Sequence, residues 1–227
     1  MTFTTEQFNQ ILGIDDSYKA PDALMKVMLD KEKREQLFNE FLKLETDMSY
    51  EWFQSYYESE QAERKEKKQD FTPMSVADIV SRLVSQGEPR SFTDTTAGNG
   101  GMLIKSWINN SSPFKSPSQY WFVAHELSDR SIPFLIFNFV IRGWNGLIYH
   151  GDSLERKYKN VYFIQNKNDD WFQFSEVNVV PRSISESDRN WLGISEFYGD
   201  EIKHIESQAE IIWDKDNEKK GQMSLFE

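Results

Sequence analysis

Three carboxylates and a glycine cluster recur at comparable points of the chain. Asp94 closes the alternation SFTD and leads into TTAGNGGML; Glu126 follows VAH; Asp152 follows YHG. Gly98, Gly100 and Gly101 permit a tight turn with no side chain in the way, so backbone N–H groups can approach a ligand before a helix starts near Met102. A carboxylate at the next strand end accepts from the two hydroxyls of a ribose, and an acceptor at the strand end after it takes an adenine amino group. Leu154 or Ile132 would pack on the ring. The set suits an adenosine-bearing ligand in the crevice of an open α/β sheet. The glycine spacing is not G-x-G-x-x-G and no G-K-[S/T] follows, which disfavours a dinucleotide or a nucleoside triphosphate. Taken alone, the loop fits an ordinary strand-to-helix turn equally well; the three strand ends in series select the ligand reading.

The surrounding elements must place these groups on one edge. SFTDT, QYWFVAHEL and NGLIYHGDSL read as strands, with MLIKSWINN and DRSIPFLIFNFVIRG as the helices between them. Strand–helix–strand–helix–strand predicts a parallel sheet with helices on its faces. Ahead of it, FTPMSVADIVSRLVSQG predicts a helix with Pro73 in its first turn, Val76, Ile79, Val80 and Leu83 on one face, and Gly87 as its end. Residues 1 to 68 read as a helical region that dissolves into the charged run ESEQAERKEKK, a solvated linker or a basic phosphate contact through Arg64, Lys65, Lys67 and Lys68. Past Tyr158, VYFIQ and WFQF around NKNDD predict a hairpin, FSEVNVVPRS a further strand, and residues 184 to 213 a helical stretch. The expected division is 1–68 helical, 69–213 α/β and 214–227 a flexible tail.

Bulk composition narrows the class. The 227 residues suit one domain with a small appendage, and an aromatic share of 15% can build a core despite low mean hydropathy. A net charge of −11 argues against a broad nucleic-acid-coating surface, though not against a local basic patch. The chain has no cysteine, and its three histidines lack zinc-site spacing, so no metal is expected. MTFTTEQFNQ lacks the pattern of a secretory leader, and the apolar stretch 132–141 is too short to span a bilayer. The expected location is the cytoplasm of a bacterial or phage-infected cell.

The motifs resemble those of a known family. FTP at 71–73, DTTAGNGGML at 94–103, HEL at 125–127 and GDSL at 151–154 look like successive motifs of the adenine-specific (N-6) DNA methyltransferases, especially modification subunits of type I restriction systems and their phage-borne relatives. The resemblance covers about residues 66 to 185, with Thr95 where the family usually has proline. It implies a Rossmann-like methyltransferase fold with S-adenosylmethionine as cofactor and DNA as substrate. Phe71, Thr72 and Pro73 would flank the methionine end; Asp94, Gly98 and Gly100 would form the floor; Glu126 would hold the ribose and Asp152 the adenine.

The family's N/D-P-P-aromatic motif, which ends the fourth strand, is missing. Its carbonyls accept from the target amine and its ring stacks on the flipped base. The chain has no Pro-Pro pair. In VNVVPRS, Val180 and Arg182 stand where the acceptor and second proline belong, which leaves Asn178 as the catalytic candidate. Asn166, with Trp171 or Phe172 as the stacking ring, is the other. Both positions also suit ordinary turn asparagines.

The last residues, QMSLF, resemble the clamp-binding peptide of bacterial replication proteins, with Gln222 fixing the register and Leu225 and Phe226 filling a pocket. Two readings therefore lead: a DNA adenine methyltransferase or its catalytic-subunit-like part, served by a specificity subunit; or an inactive methyltransferase-like binding protein recruited to the sliding clamp by its tail. A methyltransferase for a small molecule or protein is a third, since the loop and acids bind only the cofactor.

Overall fold

The computed structural model describes residues 3–60, 72–83, 90–112 and 114–207. Phe71, the run 61–68, Gly87 and the tail residues Gln222, Leu225 and Phe226 lie outside them. The chain divides into two compact units, and neither is a continuous stretch. The first comprises Met1–Pro89, Ala97–Ser111 and Ser128–Asn138; the second comprises Arg90–Thr96, Ser112–Leu127 and Phe139–Glu227.

The first unit is helical. α1 (Thr5–Leu12) starts in a capping box between Thr4 and Gln7 and stops at Gly13, whose left-handed φ of 67° favours a residue without a Cβ. The periodic run 24–42 is two helices, because Asp30 interrupts it: its carboxylate accepts from the N–H of Lys33, ending α2 (Ala20–Met28) and starting α3 (Lys31–Leu42). α4 (Gln54–Glu60) follows. Phe8, Phe41, Phe53, Phe134 and Phe137 make the core, with Phe53 and Phe137 edge to face at 4.7 Å. Such pairs add about 0.5–1.5 kcal/mol each beyond burial.

α5 (Met74–Leu83) begins as expected, with the Pro73 carbonyl accepting from Val76 and Ala77. Its apolar face is not where amphipathicity would put it. Val76, Ile79, Val80 and Leu83 are exposed, and Ala77 and Ser81 are buried instead. The buried side faces α6 (Gly101–Asn110) through hydrogen bonds, from Asn109 Nδ2 to Asp78 at 3.0 Å and to Ser81 Oγ at 2.5 Å. Polar bonding here outcompetes burial of the apolar stripe.

The second unit is built on a six-stranded sheet in the order β1-β2-β3-β4-β5, with β6 beside β4. β1 (Ser91–Asp94), β2 (Trp121–Glu126) and β3 (Gly146–Asp152) run parallel, as the alternation predicts. β4 (Lys157–Gln165) is antiparallel to β3 because only residues 153–156 join them, and so short a connection cannot make a parallel crossover. β5 (Glu176–Val179) returns antiparallel to β4, and β6 (Glu196–Phe197) pairs β4 in parallel. Three of the five pairings are parallel.

α7 (Ile132–Ile141) is apolar around its circumference and wholly buried. One face of the sheet carries Phe92 on Phe122, which stacks on Trp144 at 3.9 Å, with Phe139 edge-on. The other carries Leu147, Tyr149, Val161 and Phe163 under Val180, Leu192 and Ile194.

Two expectations fail here. Residues 171–174 form no strand; 166–175 is a loop pinned by Asn166, so the hairpin partner of β4 is β5. Of 184–213, only α8 (Glu186–Trp191) is helical, ending at Gly193 with φ 68°; residues 198–207 are irregular and 208–213 lie outside the described residues.

Candidate functional site

The three parallel strands put their carboxylates on one edge. Asp94 pairs with Ala124, so Glu126 stands two residues further along β2; Glu126 pairs with His150, so Asp152 stands two residues beyond that on β3. The strands are about 4.8 Å apart, so the acids form a staggered row along the carboxyl edge. Gly146 permits this packing, since a Cβ there would come within 2.0 Å of the Phe122 carbonyl oxygen.

Each acid has a distinct setting. One oxygen of Asp94 accepts from the Thr96 N–H at 3.0 Å, which turns the chain out of β1. Burial raises the Asp94 pKa above the usual carboxylate value, opposed by that bond. One oxygen of Asp152 accepts from Leu154 at 2.8 Å and Glu155 at 2.9 Å, leaving the second without a hydrogen bond from any described residue. Glu126 is 8% exposed. Of the two apolar neighbours considered for a ring, Leu154 is exposed, while Ile132 is buried in the first unit.

The glycine loop belongs to the first unit. Gly98 and Gly100 have φ of 55° and 93°, as a tight turn of this hand requires. Gly100 is also a packing residue, since a Cβ would meet Leu135 Cδ1 at 3.0 Å. Two residues that sequence reasoning missed hold this loop. Asn138 Nδ2 donates to the Asn99 carbonyl at 2.8 Å and to Glu51 Oε1 at 2.9 Å, and Glu51 Oε1 also accepts from the Phe53 N–H. The available signal was Asn138 itself, the one polar residue in IPFLIFNFVI. A third missed residue is Asn99. Its side chain is 1% exposed, and neither amide atom has a partner among the described residues. Buried amide groups normally find partners. Thr72 and Pro73 are exposed just ahead of α5.

The catalytic candidates are committed elsewhere. Asn178 is fully buried, and its Oδ1 accepts from the N–H groups of Glu206 at 2.8 Å and Ser207 at 3.1 Å. It lies on β5, four strands from β1 in the sheet order, or about 19 Å by strand spacing. The structure therefore does not bring Asn178 to Asp94 and Glu126. Asn166 donates to the carbonyls of Gly143 and Asp170 and accepts from the Asp170 N–H. It stands just past the end of β4, whose reversed direction puts it at the opposite edge of the sheet from the acids. Arg182 spends its guanidinium on the carbonyls of Gly199, Lys159 and Tyr198.

The chain matches the N-6 DNA methylase family over residues 46–180, more than half of its length. It belongs to that family. The matched span begins ahead of Glu51 and ends at Val180, so it takes in the glycine loop, Asn138 and all three acids. No curated protein and no solved structure matches the chain. The mixed α/β architecture with its mostly parallel sheet is that of a methyltransferase fold. Among the described residues, no helix is long and apolar enough to cross a membrane, and no cluster of His, Asp and Glu suits a metal ion.

Proposed function

We propose that this methylase-family chain binds S-adenosylmethionine and transfers its methyl group to the N-6 amine of adenine in DNA, alone or as the catalytic-subunit-like part of a larger enzyme. The observation that carries the reading is the staggered row of Asp94, Glu126 and Asp152 on the parallel edge. The orphaned amide of Asn99 fits the same ligand class, because a methionine carboxylate or amine would satisfy it. In this reading Glu126 accepts from the ribose hydroxyls and the uncommitted oxygen of Asp152 accepts from the adenine amine. Asp94 and the loop through Gly98 and Gly100 make the floor. Phe71, Thr72 and Pro73 flank the methionine end. The cofactor when bound supplies an electrophilic methyl group; the protein's share is to orient it and keep water away.

Calorimetric titration with S-adenosylmethionine and with its demethylated product, then tritiated methyl transfer to mixed-sequence duplex DNA, tests the proposal. Micromolar cofactor binding with transfer to adenine is the expected result. Absence of cofactor binding sinks it.

A second reading is favoured by the committed asparagines. If the cofactor binds and no DNA is methylated, the chain is a methyltransferase-like binding protein, recruited to the sliding clamp through Gln222, Leu225 and Phe226. That version requires clamp capture to vanish when Leu225 and Phe226 become alanine.

A further inference from the structure

Two arginines converge on a polar cavity in the second unit. The cavity, of about 430 Å³, is lined by Arg156 and Arg189 together with Glu186, Asn190 and Ser195. The backbone builds it. The N–H of Ile194 donates to the Arg189 carbonyl and the N–H of Ser195 donates to the Arg156 carbonyl, both at 2.9 Å. Donors on consecutive residues lie within one Cα step, about 3.8 Å, so the two arginine backbones are clamped side by side. Arg156 is also held at φ 55°, a left-handed conformation that a residue with a Cβ adopts only at a cost.

The guanidinium groups are not consumed by the fold. Arg182 close by is bound more heavily: its Nη donors reach three carbonyls, although its Nε too has no partner among the described residues. Arg189 makes one hydrogen bond, from Nη2 to the Arg182 carbonyl at 3.3 Å, and lies 5.9 Å over the Phe197 ring; its Nε is buried with no hydrogen-bond partner among the described residues. Arg156 forms no ion pair or side-chain hydrogen bond among them, and Glu186 on the cavity wall pairs with neither arginine. In a chain of net charge −11, two guanidinium groups with donors to spare at one cavity are not a background of basic residues. Their planar donor forks match the paired oxygens of phosphates and carboxylates.

We propose that this cavity is a phosphate site and that it takes one phosphodiester of the target DNA. The second half of that statement rests on the DNA reading above. Arg156 sits on the turn between β3 and β4, four residues past Asp152 and therefore at the same sheet edge as the acids. A strand held there by its backbone is gripped independently of its sequence.

The test is duplex binding by fluorescence anisotropy at several salt concentrations, for the full chain and for Arg156→Gly, Arg156→Ala and Arg189→Ala. Arg156→Gly suits φ 55° and keeps the fold while deleting the guanidinium. Each variant is expected to bind DNA about tenfold more weakly on every sequence, to lower the slope of log K against log salt by about 1, and to leave cofactor affinity unchanged. Inorganic phosphate, titrated by NMR, should shift the amides of 193–195 in the parent and not in the variants. Unchanged slopes and affinities in folded variants overturn the site and leave the DNA reading intact. If the parent binds cofactor and phosphate but no duplex at low salt, the DNA reading and the phosphodiester assignment fall together and only the phosphate site survives.

Discussion

In the parallel half of the sheet, Asp94 and Asp152 each give one oxygen to a nearby backbone turn and keep the other uncommitted. In the antiparallel half, Asn166 and Asn178 give their acceptor oxygens to the loops that close the fold. The two halves bury similar polar groups for opposite ends. Parallel strands deliver successive carboxyl ends to one edge, where Asp94 and Asp152 each keep an acceptor oxygen to spare. In the antiparallel half, Asn166 meets the connection leaving its own strand, and Asn178 meets the 206–207 segment that returns beside β5. The comparison says where a ligand can be held, and it predicts that substitutions in the two halves separate stability from binding.

The largest effect expected is on stability, in the antiparallel half. Asn178→Ala strands the partly buried N–H of Glu206 and the buried N–H of Ser207, while its own Nδ2, already without a partner, is no loss. We expect a loss of about 2–3 kcal/mol in chemical denaturation, at roughly 1–3 kcal/mol per stranded donor. Cofactor affinity of the folded fraction should not change. A large loss of affinity with intact stability would break the comparison.

Glu126→Gln is the converse. The substitution keeps the shape and removes the charge that the proposed function assigns to the ribose hydroxyls. Cofactor dissociation should rise about tenfold, or ~1.4 kcal/mol, with the melting temperature held within a few degrees. Equal affinity in calorimetry would take Glu126 out of the site.

Asn99→Ala sharpens the point, because the two effects should have opposite signs. Removing an unpartnered buried amide should leave the free protein as stable or slightly more so, by up to about 1 kcal/mol. Affinity for the cofactor should fall several-fold. If the free protein is destabilised instead, the amide is bonded within the fold and does not await a ligand.

What could be read from the sequence follows the same division. β1, α6, β2, α7 and β3 were legible because alternation, apolar runs and Gly143 all mark the same boundaries, and the three acids fall at strand ends by simple spacing. The 166–175 loop was misread as half a hairpin because Trp171 and Phe172 have strand propensity, while the Asn166 side-chain bonds that hold the loop, to Asp170 four residues on and back to Gly143, leave no periodic trace. The stretch after 184 was misread because its chain path is set by Arg182 reaching carbonyls 16 to 23 residues away. On α5 the periodicity identified the apolar stripe correctly; which side faces α6 was decided by Asp78, Ser81 and Asn109, which a helical wheel does not weigh. Asn99 was passed over because its role lies in what it fails to bond, a property of packing alone.

The smallest predicted effect concerns His125, which lies between the halves. Its ring stacks on Tyr149 of β3 at 4.4 Å, and its Nδ1 meets the Tyr158 hydroxyl of β4 at 3.1 Å. Burial pushes its pKa below the usual histidine value. The unfolded chain therefore takes up a proton at higher pH than the folded one. The associated stability is fully present above the unfolded pKa of about 6.5 and declines as the pH falls toward the folded value. His125→Gln should flatten that decline below pH 6.5 without altering stability at pH 8 by more than about 1 kcal/mol. Denaturation at matched ionic strength across this range checks it. A decline of the same slope in the variant would place the proton uptake on another group, and the contact between the two halves at His125 would then be insensitive to charge.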